Sequence, residues 1–453
     1  MVNVIKKFFN NIRNTDRDEL TKVFLLGTCF FIIVGSYTLI KELKDALFVL
    51  MVGQKYLPEV KSISYFFMLP LVLFYSFLAG KVRRYTLVTF YAIIYGLGGL
   101  LIAYFLKDPI MGLANEIPSG DRIFGWIIYL FMEGYSPFLV SVLWAFFNSV
   151  SKPEEVKNSY IIMTASSKLG GIISAGFAWL FMAGHLNFGK HISPIDSYVY
   201  ILVITSCCLL CVPFLITYMI HKVNPALLSG YGTSKSIEDK TMSSNSGFNL
   251  FFKYPYVLGI FGMIFFWEIV NVIFNYMRLT IGLREAENIS QFSAFLYKNA
   301  MLTQITGFII VSLGTSAAVR YLGQRISLLL IPLFIGGAIF AFLSCQTSTM
   351  VIITYIFMRA INYSFAYPIR EALYIPTTND IRFKSKSWID SFGAKLSKMF
   401  GSAYNKLIQF VPISILQNFQ IGFFLCIIGL WVMLAYYMGK RWTKAIENKE
   451  IIG

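Results

Sequence analysis

The sequence predicts an all-helical protein that crosses a membrane many times. Three observations predict it. Of 453 residues, 57% are hydrophobic and only 14% are charged, where soluble domains carry about 25% charged residues. Apolar runs near the bilayer-crossing length recur along the whole chain. The basic residues fall mostly between those runs, and mostly in alternate connections. A formal net charge of +16 would suggest nucleic acid in a soluble protein. Here loops that collect Lys and Arg account for it, so the expected partner is the lipid bilayer and no nucleic acid.

Taken in order, residues 1–21 form a polar, basic tail. Twelve spans follow, at roughly 22–48, 60–80, 86–106, 123–149, 160–183, 198–220, 254–277, 293–318, 325–343, 348–368, 388–411 and 418–439. The first lacks a small-residue cleavage site and reads as an uncleaved span. The widest gap, 221–253, holds SGYGTSKSIEDKTMSSNSG, and its Gly/Ser/Thr/Lys composition reads as a flexible linker. It separates an N-terminal six-helix half, 22–220, from a C-terminal six-helix half, 254–439, with a tail at 440–453. Twelve spans put both termini on one side. The opposite side holds only Lys55, Lys107, Arg122, Lys190, Arg278 and Arg284 among the loop basic residues. That asymmetry places both ends in the cytoplasm.

The remaining basic residues lie within or at the ends of spans: Lys41, Lys44, Lys61, Lys168, Lys298, Arg359, Lys395, Lys398 and Lys406. Exposing all of them to lipid would cost roughly 20–30 kcal/mol. Lys61 and Lys406 suit snorkelling to headgroups, and several of the others must face a polar interior. Carboxylates there are fewer: Glu42, Asp45, Glu133, Glu268 and Asp390. The positive excess implies an anionic substrate.

Within SYTLIKELKDALFVL (Ser36 to Leu50), Lys41 and Lys44 share a helix face, and Glu42 and Asp45 share the next. Two readings are open: an interfacial anchor with internal ion pairs, or a lysine that meets substrate phosphate and is held by acids when empty. Glu133, mid-span in YLFMEGYSPFLVSVLWAFFN, either pairs with a cavity lysine or belongs to a buried structural ion pair. Arg359 and Arg370 stand eleven apart, nearly three whole turns, and would align on a continuous helix. Pro368 kinks or ends the helix between them. Arg370 reads equally as a positive-inside residue.

The halves echo each other. SSKLGGIISAG in span five echoes GAKLSKMFGSA in span eleven, and if the fold is two six-helix repeats Lys168 and Lys395 are equivalent. The short basic turns GKVRRYTL and VRYLGQRISLL are also equivalent, and resemble the tight turns of major-facilitator transporters. Two pseudo-symmetric six-helix halves around a midplane site are a known carrier plan. Enzyme chemistry finds no footing. GHLNFGKH (Gly184 to His191) has the glycine and lysine spacing of a phosphate loop, but His191 replaces the Ser or Thr and no strand precedes it. His185, His191 and His221 form no metal or catalytic set. Cys29, Cys207, Cys208, Cys211, Cys345 and Cys426 sit in apolar runs and read as small core residues. No cofactor or metal is expected.

These stretches resemble the ATP/ADP translocases, the nucleotide transporters of obligate intracellular bacteria and plastids. YTLIKELKDALFV is similar to that family's first-span Lys-Asp signature. Glu133 falls on its fourth-span Glu, before an aromatic Trp/Asn stretch. KPEEVKNSY is similar to the loop that follows. YSFAYPIREALYIP with WIDSFGAKLSKMFGS carries its basic-Glu pair before Tyr-Ile-Pro and its later Asp, Leu and Lys positions. The resemblance implies a monomeric carrier in a bacterial inner membrane that imports or exchanges nucleotides by alternating access. It implies that Lys44, Glu133 and Arg370 recognise or couple the nucleotide. Arg370 stands where Lys is usual, Asn275 where the family has a seventh-span Glu, and Lys168 where it has Asn. Each of the last two departures makes the cavity more positive, which leaves room for another nucleotide, NAD or a phosphate-rich anion. The candidate substrate-binding set is Lys44, Asp45, Glu133, Lys168, Asn275, Arg359, Arg370 and Lys395. The alternative is a major-facilitator transporter of a different anionic solute.

Overall fold

The computed structural model describes residues 17–150, 153–186, 192–224, 253–378, 381, 385–386, 389 and 393–452. Nearly all of them are helical. The helices are α1 (Arg17–Met51), α2 (Leu57–Lys81), α3 (Arg84–Phe105), α4 (Ile123–Glu133), α5 (Ser141–Val150), α6 (Pro153–Met182) and α7 (Pro194–Lys222). There follow α8 (Pro255–Glu285), α9 (Ile289–Cys345), α10 (Ser348–Ile361), α11 (Tyr367–Glu371), α12 (Ala394–Leu407) and α13 (Ile413–Glu447). Among the described residues, nine helical stretches are long and apolar enough to cross a membrane. Helices α2, α6 and α12 lie on the spans expected second, fifth and eleventh.

Local chemistry sets several ends. The Ser193 hydroxyl accepts from the Asp196 N–H at 3.1 Å, with Pro194 in the first turn, and this starts α7. Thr347 caps α10 by accepting from the Met350 N–H at 3.3 Å. Other ends differ from expectation. Helix α1 already includes Arg17, inside the expected tail. Helix α9 has helical stretches on both sides of the expected turn between spans eight and nine, and Gly323 at φ +75° lies in that turn. Right-handed helix needs negative φ, so the chain leaves it at this glycine.

The far end of the chain is also ordered. Beyond α13, Glu450 accepts from both Arg441 amino groups, at 2.7 and 2.5 Å. Arg441 thereby holds the Glu450 carboxyl below its ordinary range. The Ile452 N–H donates to the Pro376 carbonyl at 2.8 Å, and the Thr378 N–H donates to the Ile452 carbonyl at 3.1 Å.

The chain forms two compact units. The first holds the described residues up to Val52, those of Met68–Ile237, and Glu287–Met301. In it α1 packs against α4, α6 and α7, while α3 packs against α5 and α7. Small residues allow the closest approach, since a side chain at Gly170 would land on the Phe31 carbonyl oxygen. Tyr198 ties in the start of α9 by donating to the Ile289 carbonyl at 2.6 Å and lying 2.7 Å from the Ser293 hydroxyl.

The second unit holds Gly53–Phe67, the described residues of Glu238–Ala286, and Leu302 onward. There α8 packs against α10, α12 and α13. A Cβ at Gly401 would meet Val272 Cβ at 2.9 Å. Lys406, expected to snorkel, pairs with Glu59 at 3.0 Å.

The cysteines need one correction. Only Cys29 is buried; Cys207, Cys208, Cys211, Cys345 and Cys426 are exposed on their helices. Apolarity cannot tell an inward from an outward face when the surroundings of a bundle are themselves apolar. The greater part of the expected linker, residues 187–191 of GHLNFGKH, and Asp390 lie outside the described residues.

Candidate functional site

In the first unit the site begins with a proline. Pro137 has no N–H for the Glu133 carbonyl, and its ring would press on that carbonyl in a regular helix. Helix α4 therefore ends at Glu133, and the chain passes through a widened π turn, Ser136–Val140, into α5. Such turns often occur at functional sites. Glu133 meets α1: its Oε2 lies 2.5 Å from the Lys44 ammonium. Asp45 Oδ1 is 3.7 Å from the same ammonium. The Tyr129 ring lies beneath it, with its centroid 4.4 Å away. Lys44 and Asp45 are buried, and Glu133 is partly exposed. One turn away Lys41 pairs with Glu42 at 3.2 Å.

The second unit builds a cluster from α8 and α10. Asn275 and Arg278 lie one turn apart on α8, as do Tyr355 and Arg359 on α10. Arg278 donates to Asn275 Oδ1 at 3.1 Å, and its guanidinium lies 4.4 Å from the Tyr355 ring centroid. The Tyr355 hydroxyl donates to the same Asn275 oxygen at 3.3 Å and accepts from Arg359. The other Arg359 amino group donates to the Tyr363 hydroxyl at 2.9 Å. Arg278 is 0% exposed and Arg359 is 6% exposed.

Arg278 was expected on the outer side, between spans. It lies well inside α8, which continues to Glu285. A span edge drawn from apolarity stops where the apolar run ends, but the helix does not.

Beyond Arg359 the helix widens again. A π turn covers Asn362–Ala366, just ahead of Pro368. The Pro368 ring would press on the Ser364 carbonyl in a regular helix, and the wide turn relieves it. One ordinary turn and one widened turn span about eight residues. Arg370 thus reaches Asn362, donating to its Oδ1 at 2.8 Å. Arg370 is buried. Next to it Glu371 pairs with Lys386 at 2.5 Å.

The candidate residues are thus distributed as follows. Lys44, Asp45 and Glu133 come together in the first unit. Asn275 and Arg359 come together through Tyr355 in the second. Lys168 on α6 and Lys395 on α12 are each half-buried. Tyr129, Arg278, Tyr355 and Asn362 were not singled out from sequence. Aromatics make up 17% of the chain, so no single tyrosine stands out by composition.

The family model of the TLC ATP/ADP transporter matches residues 122–442. The chain belongs to the TLC ATP/ADP transporter family. Relatives within reach of sequence comparison agree. ADP,ATP carrier protein 1 of Chlamydia trachomatis is 21% identical over 95% of this chain and 90% of its own length. ADP,ATP carrier protein 2, chloroplastic, of Arabidopsis thaliana is 21% identical over 95% of this chain and 76% of its own.

Solved structures show the fold of this TLC family member. The D-xylose–proton symporter superposes with a TM-score of 0.65 at 12% identity, covering 92% of this chain and 97% of that one. A bacterial homologue of the iron transporter ferroportin gives 0.63 at 14% identity, covering 94% and 99%. The molecule is a multi-pass, major-facilitator-like carrier and not an enzyme.

Proposed function

We propose that this chain carries nucleotides, ATP, ADP or a related phosphate-bearing nucleotide, across a bacterial inner membrane by alternating access. Membership of the TLC family carries the reading, and buried cations in both units support it. In the empty carrier Glu133 and Asp45 hold Lys44. A phosphate chain competes with them for the ammonium. The substrate-facing set is Lys44, Asp45, Glu133, Lys168, Asn275, Arg359, Arg370 and Lys395. Anion binding offsets repulsion among the cations, which favours reorientation of the loaded carrier. The halves are 22–220 and 254–439, joined by the linker 221–253, and the carrier works as a monomer with both termini cytoplasmic.

A second reading, transport of a different anionic solute on the same fold, is favoured by the neutral Asn275 and the added Lys168. Uptake of labelled ATP, ADP, GTP and NAD by proteoliposomes separates the two. Saturable uptake of at least one, competed by unlabelled nucleotide, is expected. Saturable uptake of none would overturn the nucleotide reading.

A further inference from the structure

The two units carry one short motif in one setting. Tyr129-Leu-Phe-Met-Glu133 ends α4, and Tyr355-Ile-Phe-Met-Arg359 lies near the end of α10. A five-residue π turn begins three residues after each motif, at Ser136 and at Asn362. The Tyr and the Met are buried in both. In both, a cation from the helix that opens the six-helix half lies over the tyrosine ring: Lys44 over Tyr129 and Arg278 over Tyr355, each 4.4 Å from the centroid. Those opening helices, α1 and α8, pack against α4 and α10 respectively. Three identical residues and a Leu/Ile exchange alone are a weak signal. The shared turn, the shared burial and the shared cation make the two sites equivalent.

Equivalence sets Glu133 against Arg359. Where the first unit meets its cation with a carboxylate, the second brings a further guanidinium. The first site is an ion pair. The second gathers two arginines on one tyrosine, with the neutral Asn275 orienting Arg278 and Tyr355. A guanidinium fork suits phosphate oxygens and donates to two of them at a time.

We propose that Arg278, Tyr355 and Arg359 form the subsite for the phosphate chain of the substrate. Arg359 touches the phosphate oxygens. Arg278 is a positioning residue that acts through Tyr355. The Lys44–Glu133 site is its charge-balanced counterpart. This assignment rests on the carrier reading above for its natural substrate, a nucleoside di- or triphosphate.

The test compares purified wild type with Arg359→Glu, Arg359→Lys, Arg278→Gln and Arg278→Lys. Two readouts are used: the thermal midpoint with inorganic tripolyphosphate, and competition of uptake by ATP, ADP, AMP and adenosine. Tripolyphosphate is expected to raise the wild-type midpoint and to leave Arg359→Glu unmoved, since that change rebuilds the ion-pair form of the first unit. The half-effective ATP concentration should rise about 100-fold in Arg359→Glu and about 10-fold in Arg278→Gln, in line with lost charged hydrogen bonds. The penalty should shrink from ATP to ADP to AMP and vanish for adenosine. Arg278→Lys should recover most of the loss at Arg278, which a packing role would not predict.

Should Arg359→Glu fail to fold, Arg278→Gln and Arg359→Lys carry the same phosphate-number comparison. A tripolyphosphate response retained in Arg359→Glu, or a penalty equal for ATP and adenosine, would overturn the proposal. A wild type that takes up no nucleotide, yet gains stability from tripolyphosphate only when Arg359 is present, would remove the nucleotide reading and leave the subsite standing.

Discussion

Lys44 is gripped by Glu133, Asp45 and the face of Tyr129 at once. Removing one member of such a pair strands a charge, at a cost of about 3–5 kcal/mol. Lys44→Ala should therefore lower the melting temperature as well as abolish most transport. Adding Glu133→Gln should restore most of the stability and none of the transport, as uptake and calorimetry on the two variants would show. Arg370→Ala removes a buried guanidinium from Asn362 and should lose most uptake at unchanged expression; near-normal uptake in it and in Lys44→Ala would refute their assignment to the site. Lys44 was legible because a charge at the end of an apolar run needs a partner. Arg278 was not, because apolarity alone ended its span too early. The pairing of Lys44 with Glu133, so far apart in sequence, needed the packing of α1 on α4.

At the scale of elements, bilayer thickness made the spans readable, since it fixes how many apolar residues a crossing helix needs. The joins and the helix interiors were less readable. The two π turns obey local backbone constraints that hydropathy does not record. Pro137 and Pro368 were the available signals, each set four residues past a carbonyl it would crowd. Helix contacts depend on small residues in the same way. Gly170→Val should force α1 and α6 apart and cost about 1–3 kcal/mol, measured as a lower melting midpoint in detergent. The end of the chain gives a pH prediction. Arg441 depresses the Glu450 carboxyl, so this contact stabilises docking of the last residues above the ordinary glutamate range. The contribution disappears as pH falls through the depressed value. Limited proteolysis of the C-terminus should accelerate in acid, and Glu450→Gln should make it fast at every pH.

At the scale of the molecule, charge decides whether voltage matters. If the carrier exchanges external ATP for internal ADP, one extra negative charge moves per cycle, worth about 2.3 kcal/mol per 100 mV. Proteoliposomes clamped with a potassium gradient and an ionophore should show ATP/ADP exchange that changes with the imposed potential; a voltage-independent rate would point to electroneutral exchange. The two units also carry a relative chronology. If both halves descend from one duplicated ancestor, a widened turn found at the same step of each was present before the copy was made. Glu133 and Arg359, which differ at matching positions, record a change made after it. On that descent the ancestral half already had its widened turn, and the contrast between a carboxylate and a guanidinium came later.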